Sequence, residues 1–87
     1  MLLNNSDYNI IDIRNRNSYI MGHIPGSINI DYFELLMNHQ KYLKKEEKYC
    51  LYCDSGKRSL TLVNKLKSLG YNVVNLEGGY NNYLRRW

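Results

Sequence analysis

Two features of this chain predict an α/β fold built on a small parallel sheet. Short apolar runs, β-branched or aromatic, alternate with amphipathic helical patterns. The runs have no clean polar face, as expected of strands buried on both sides. Strands that alternate with helices connect by βαβ crossovers, which make the strands parallel and place helices on both faces of the sheet.

The elements follow in chain order. Strands are expected at Asn9 to Ile13, Ser27 to Ile30, Lys48 to Tyr52 and Asn72 to Leu76. Asp31 is a suitable N-cap for a helix running to about Asn38, with Phe33, Leu36 and Met37 turned inward. Ser59 to Leu69 places Leu62, Val63, Leu66 and Leu69 on one stripe and Asn64, Lys65, Lys67 and Ser68 on the other, with Ser59 as its cap. Gly70 supplies the left-handed residue that ends it. Tyr80 to Arg86 reads as a short final helix.

Residues 1–87 hold one domain, burying roughly 60–65% of the unfolded surface. A hydrophobic content of 44% and a charged content of 23% are ordinary globular values. The first residues, Met1 to Asp7, have neither a basic region nor a long apolar core, so no signal peptide is expected. No stretch reaches the apolar length of a membrane span. The two cysteines suit a reducing compartment, and a cytoplasmic location is expected. The net charge of +4 comes from dispersed cations; the one cluster, Lys41, Lys44, Lys45 and Lys48, is broken by Glu46 and Glu47. That is a solvated connecting surface, and the nine tyrosines do not alternate with cations as a stacking platform would, so no nucleic-acid partner is expected.

Cys53 ends the third strand, and a helix begins a few residues later. In such sheets ligands collect at the carboxyl ends of strands, where Arg14 also falls. Gly56 lets the chain curl with its amides inward, and Lys57 and Arg58 add positive charge at the mouth. Together with the helix N-terminus these groups favour a negative sulfur, either a thiolate or an attached anion such as a persulfide. Cys50 completes a C-x-x-C spacing but lies inside a strand. Three residues of strand span roughly 10 Å and point the two side chains to opposite faces, whereas a disulfide needs Cα atoms within about 7 Å. Cys50 therefore reads as core. His23 and His39 complete no ligand set, and no metal is expected.

Four motifs in order give the chain a family resemblance: Ile11-Asp12-Ile13-Arg14, Gly22-His23-Ile24-Pro25-Gly26-Ser27-Ile28-Asn29, Tyr52-Cys53 through Arg58-Ser59, and Leu76-Glu77-Gly78-Gly79-Tyr80. From about Asn9 onward the chain resembles a single-domain rhodanese, a sulfurtransferase. The resemblance implies a four-stranded sheet in the order 4-3-1-2. It implies that Cys53 takes sulfane sulfur from a donor such as thiosulfate, becomes a persulfide, and passes the outer sulfur to cyanide, a thiol or an acceptor protein's cysteine, without a cofactor. Asp54, Ser55, Gly56, Lys57, Arg58 and Ser59 would cradle the sulfur, Arg58 would help bind the anionic donor, and Asp12 and Arg14 would buttress the loop. His23 would hold a turn, since a loop-stabilised thiolate needs no general base.

Members of that family usually carry one more strand and helix ahead of the Asp-x-Arg strand. The chain is expected to begin after that strand, with Met1 to Asp7 holding at most a remnant of the helix. The strand Asn72 to Leu76 would then have an unpaired edge, a liability for association. Other readings stay open: a non-catalytic interaction module, a derivative with weak or no activity, and a cysteine-based phosphatase or arsenate reductase. The last use Cys-x5-Arg, whereas four residues separate Cys53 from Arg58, a tighter loop that suits sulfur better than a tetrahedral oxyanion.

Overall fold

The computed structural model describes residues 7–85. Their elements are β1 (Asn9–Asp12), α1 (Arg16–Met21), β2 (Ile28–Asn29), α2 (Tyr32–Met37), α3 (His39–Tyr42), β3 (Lys48–Tyr52), α4 (Lys57–Ser68), β4 (Asn72–Asn75) and α5 (Gly79–Arg85). The four strands form one parallel sheet, ordered β2-β1-β3-β4. Read from its other edge this is the expected 4-3-1-2.

Alternation along β3 sorts the interior into two cores. Tyr49, Leu51 and Cys53 face a cluster with Leu35, Leu43, Leu62, Val63 and Leu66 from the helical side. Cys50 and Tyr52 face the other cluster with Ile10, Ile24 and Leu76, against which Tyr80 and Tyr83 pack. The two cysteines thus lie on opposite faces, as the strand spacing requires.

The strands match the expectation within a residue at each end. Ile13 leaves the β1 ladder but its N–H still donates to Tyr52 O at 3.0 Å. Among the described residues β4 pairs only with β3, so its outer edge is unpaired. The expected helical remnant at the N-terminus falls almost wholly outside the described residues, as does Arg86 at the end of the last helix.

The helices depart further. In α2 the inward residues are Leu35, fully buried, with Tyr32 and Leu36 packed beside it, whereas Phe33 and Met37 are largely exposed. The expected inward set of Phe33, Leu36 and Met37 is therefore corrected. Two consecutive apolar pairs fit i, i+3, i+4 in either phase, and six residues are too few to choose between them. Asp31 caps α2 as expected, accepting from Glu34 N–H at 2.9 Å. Helix α4 starts two residues before Ser59, with Gly56 at its N-cap position, so Ser59 is a buried first-turn residue and not the cap. Leu69 lies past the helix and is partly exposed, while Gly70 has the expected positive φ of 95°. Helices α1 and α3 had no periodic signal, because neither buries a residue completely.

Candidate active site

Parallel strands bring their carboxyl ends to one rim, and three of them supply the site: Asp12 ends β1 with Arg14 just beyond it, Cys53 directly follows β3, and Asn75 ends β4. The register aligns Asp12 with Tyr52 and Leu51 with Asn75.

The Cys53 side chain is almost entirely buried at the strand-to-helix turn. Its Sγ accepts from the Gly56 N–H at 3.2 Å and the Ser59 N–H at 3.4 Å, and lies 3.3 Å from Ser59 Oγ. Burial by itself raises the thiol pKa. The Ser59 hydroxyl and the amides of Ser59, Gly56 and Arg58 outweigh it and hold the thiol below its ordinary value. Cys50 has burial without such donors, and its thiol is pushed up to about 11.

The loop is gripped from outside. At the start of α5, Tyr80 N–H donates to Cys53 O at 2.8 Å and Asn81 N–H to Asp54 O at 3.0 Å. That approach requires glycine at position 79, where φ is 61° and an added Cβ would run into Cys53 O and Asp54 O. Gly56, with φ 90°, is similarly enclosed: a Cβ there would stand 2.9 Å from Gly78 N. Gly79→Ala is therefore expected to cost at least about 2 kcal/mol through left-handed strain and backbone overlap, read as a lower urea midpoint. Because the displaced atoms belong to Cys53 and Asp54, alkylation of Cys53 in that variant should also lose its low-pH reactivity.

Behind the loop, Arg14 is a buried hub. Its Nε and Nη2 donate to the Asp12 carboxylate, the latter at 2.7 Å, and Nη2 also donates to Gly22 O at 2.7 Å. Nη1 reaches the exposed Asp54 carboxylate at 3.2 Å. The guanidinium lies over the Tyr80 ring, 4.3 Å from its centroid, and the Tyr52 ring, stacked on Tyr80, has its centroid 5.7 Å away. Burial disfavours its charge, but the bonds to Asp12 and Asp54 more than compensate, so its pKa is raised.

The other expected site residues are placed less centrally. Arg58 lies near the start of α4 with its guanidinium over the Tyr32 ring, 4.5 Å from the centroid. Asp54, Ser55 and Lys57 are exposed around the mouth, Ser55 Oγ accepting from Lys57 N–H at 3.4 Å. The His23 ring stacks on Tyr19 at 3.8 Å with Nδ1 2.8 Å from Tyr19 O, so it fixes the turn after α1. Among the described residues no three His, Cys, Asp or Glu side chains converge as a metal site, and no helix is long and apolar enough to cross a membrane.

Sequence reading missed Asn75, whose amide Nδ2 donates to Gly56 O at 3.1 Å and whose Oδ1 accepts from Ser59 Oγ at 2.5 Å. It also missed the tyrosines beside Arg14. A polar residue ending an otherwise apolar strand beside the cysteine strand was the available signal for Asn75.

Known proteins resemble this chain in sequence and in fold. The family model of the rhodanese-like domain matches residues 1–86. A thiosulfate:glutathione sulfurtransferase of Homo sapiens is 30% identical over 91 residues, covering 88% of this chain and 79% of the relative. A tRNA uridine(34) hydroxylase of Bartonella bacilliformis is 31% identical over 90 residues; the match covers 95% of this chain but spans only 30% of that protein's length. The crystal structure of a rhodanese-related protein from Thermoplasma volcanium superposes with a TM-score of 0.84 at 36% identity, covering 92% of this chain and 79% of that one.

Proposed function

This chain belongs to the rhodanese-like domain family, and from that premise we propose that it is a sulfurtransferase that carries sulfane sulfur as a persulfide on Cys53. The observation that carries this reading is the ring of donors around Cys53 Sγ, two amides and a hydroxyl within 3.4 Å, in a loop clamped from behind by Arg14 and α5.

The chemistry runs in two displacements. The Cys53 thiolate attacks the outer sulfur of thiosulfate; a new S–S bond forms as the old one breaks, and sulfite departs with the bonding pair. The terminal persulfide sulfur is then anionic, and the amides of the Asp54–Ser59 loop stabilise it as they do the thiolate. An acceptor nucleophile, either cyanide or a thiolate, attacks that outer sulfur and Cys53 leaves as thiolate. The exchange is balanced without a cofactor. Lys57 and Arg58 supply positive charge toward the anionic donor, while Asp12 and Arg14 hold the loop's shape. The loop donors lower the Cys53 thiol pKa, and a thiolate stabilised in this way needs no general base. That leaves His23 the turn-holding role its contacts with Tyr19 give it.

The sulfurtransferase relative, most of whose length this chain covers, supports that activity more directly than the hydroxylase, of which it covers a minor part. The substrates this implies are a small sulfur donor and a thiol acceptor, with a protein cysteine as one form of the latter. Loop length and the position of Arg58 over Tyr32 both speak against a phosphate clamp.

Incubation with thiosulfate followed by intact mass spectrometry tests the reading. The expected result is a gain of one sulfur atom, removed by cyanide and mapped to the peptide containing Cys53. A folded protein that gains no sulfur from thiosulfate, or gains it at Cys50, would overturn the proposal.

A further inference from the structure

The Ser59 hydroxyl carries one proton and has two acceptors near it. Asn75 Oδ1 is 2.5 Å away and Cys53 Sγ is 3.3 Å away. The orientation of the Asn75 amide is not free. Its other end faces the Gly56 carbonyl, which can only accept, so the NH2 must lie there and the oxygen must face Ser59. In the thiol state the arrangement closes: Cys53 S–H donates to Ser59 Oγ, and Ser59 O–H donates to Asn75. When the thiol loses its proton to solvent, the hydroxyl turns toward the charged sulfur, and Asn75 Oδ1 loses its donor.

We propose that Asn75 is a positioning residue that competes with Cys53 for the Ser59 hydroxyl proton and so keeps the sulfur more basic, and more nucleophilic, than its loop alone would. The two amides and the helix start pull toward an acidic, weakly attacking sulfur. A thiolate's attacking power falls as its pKa falls, and the best attacking thiol has a pKa near the working pH. Asn75 acts against over-acidification from a neighbouring strand, without touching the sulfur. Its amide nitrogen holds Gly56, whose N–H is itself one of the sulfur's donors, so one side chain on β4 touches two of the three groups within 3.4 Å of Sγ.

The significance for turnover rests on Cys53 being the sulfur carrier, but the test needs no sulfur donor, so failure of one is distinguishable from failure of the other. The pH dependence of iodoacetamide alkylation at Cys53, located by peptide mass, would be measured in the full chain for the parent, Asn75→Leu, Ser59→Ala and the double variant. Asn75→Leu should lower the apparent pKa of Cys53 by about half a unit to one unit; in the Ser59→Ala background the same change should produce no fall. Asn75→Ala, a truncation at a half-buried edge-strand position, is measured beside it and should move in the same direction. A side chain that merely braces the loop would shift the value equally in both serine backgrounds. Such equal shifts, or a pKa that is unchanged or raised when Asn75 is replaced in the presence of Ser59, would overturn the proposal.

Discussion

Cys53→Ser is expected to leave the protein folded and to abolish its sulfur chemistry. Thiosulfate should add no sulfur, and turnover of thiosulfate with cyanide should drop by at least about a thousandfold, the scale of losing a covalent nucleophile. The exchange itself fits the pocket: a hydroxyl replaces a thiol among the same donors, and both partners remain hydrogen-bonded. What is lost is a thiol that its loop holds below the ordinary pKa. The parent should show this directly, with alkylation at Cys53 following a titration below that of a free thiol. Cys50, raised to about 11, should stay silent in native protein at neutral pH. The same shift links stability to pH. Cys53 is more acidic folded than unfolded, so between its two pKa values the unfolded chain holds more protons and stability rises with pH. The increment is complete above the unfolded value and is lost as pH falls through the folded one. Comparing urea midpoints of parent and Cys53→Ser across that window checks the sign, since the serine variant should lack the rise.

How much of this was legible in the sequence differs from element to element. The strands β1 and β3 were readable because each is an apolar run buried on both faces beyond its first residue. Strands β2 and β4 are only partly buried and were marked by their short β-branched runs. Cys53 was readable because a glycine, two cations and a helix start follow a strand within six residues. The order of the strands came only with the family resemblance; nothing in the spacing distinguishes it from other right-handed arrangements. The phase of α2 was not readable, since Tyr32, Leu35 and Leu36 have the same spacing as Phe33, Leu36 and Met37. Ser59 was seen as a helix cap because serine favours that place, but a glycine in the left-handed region moved the helix start two residues upstream and turned the serine to the sulfur. The contacts of Asn75 with Gly56 and Ser59, and of Arg14 with Tyr52 and Tyr80, join segments far apart in the chain. Single-sequence periodicity carries no information about those.

Asp12→Ala is expected to cost about 3–5 kcal/mol, because it strands a buried guanidinium, and that is a large share of the 5–15 kcal/mol typical of a whole domain. Asp12 is fully buried and satisfies the Arg14 amide, Nε and Nη2 together. Without it Arg14 retains the Gly22 carbonyl and a carboxylate of Asp54 that is mostly in water and well screened. A sharply lowered urea midpoint is the measurement. The more informative variant replaces both partners, Asp12→Leu with Arg14→Met. A buried ion pair exchanged for apolar side chains of similar volume is often neutral or stabilising, so the double variant should recover much of the lost stability. It should not recover sulfur transfer, because Arg14 also ties Asp54 and Gly22 to the β1 end, and methionine makes neither bond. Stability regained without activity would place the value of the pair in holding the Cys53 loop. Activity regained along with stability would show that the loop keeps its shape through α5 and Gly79 alone.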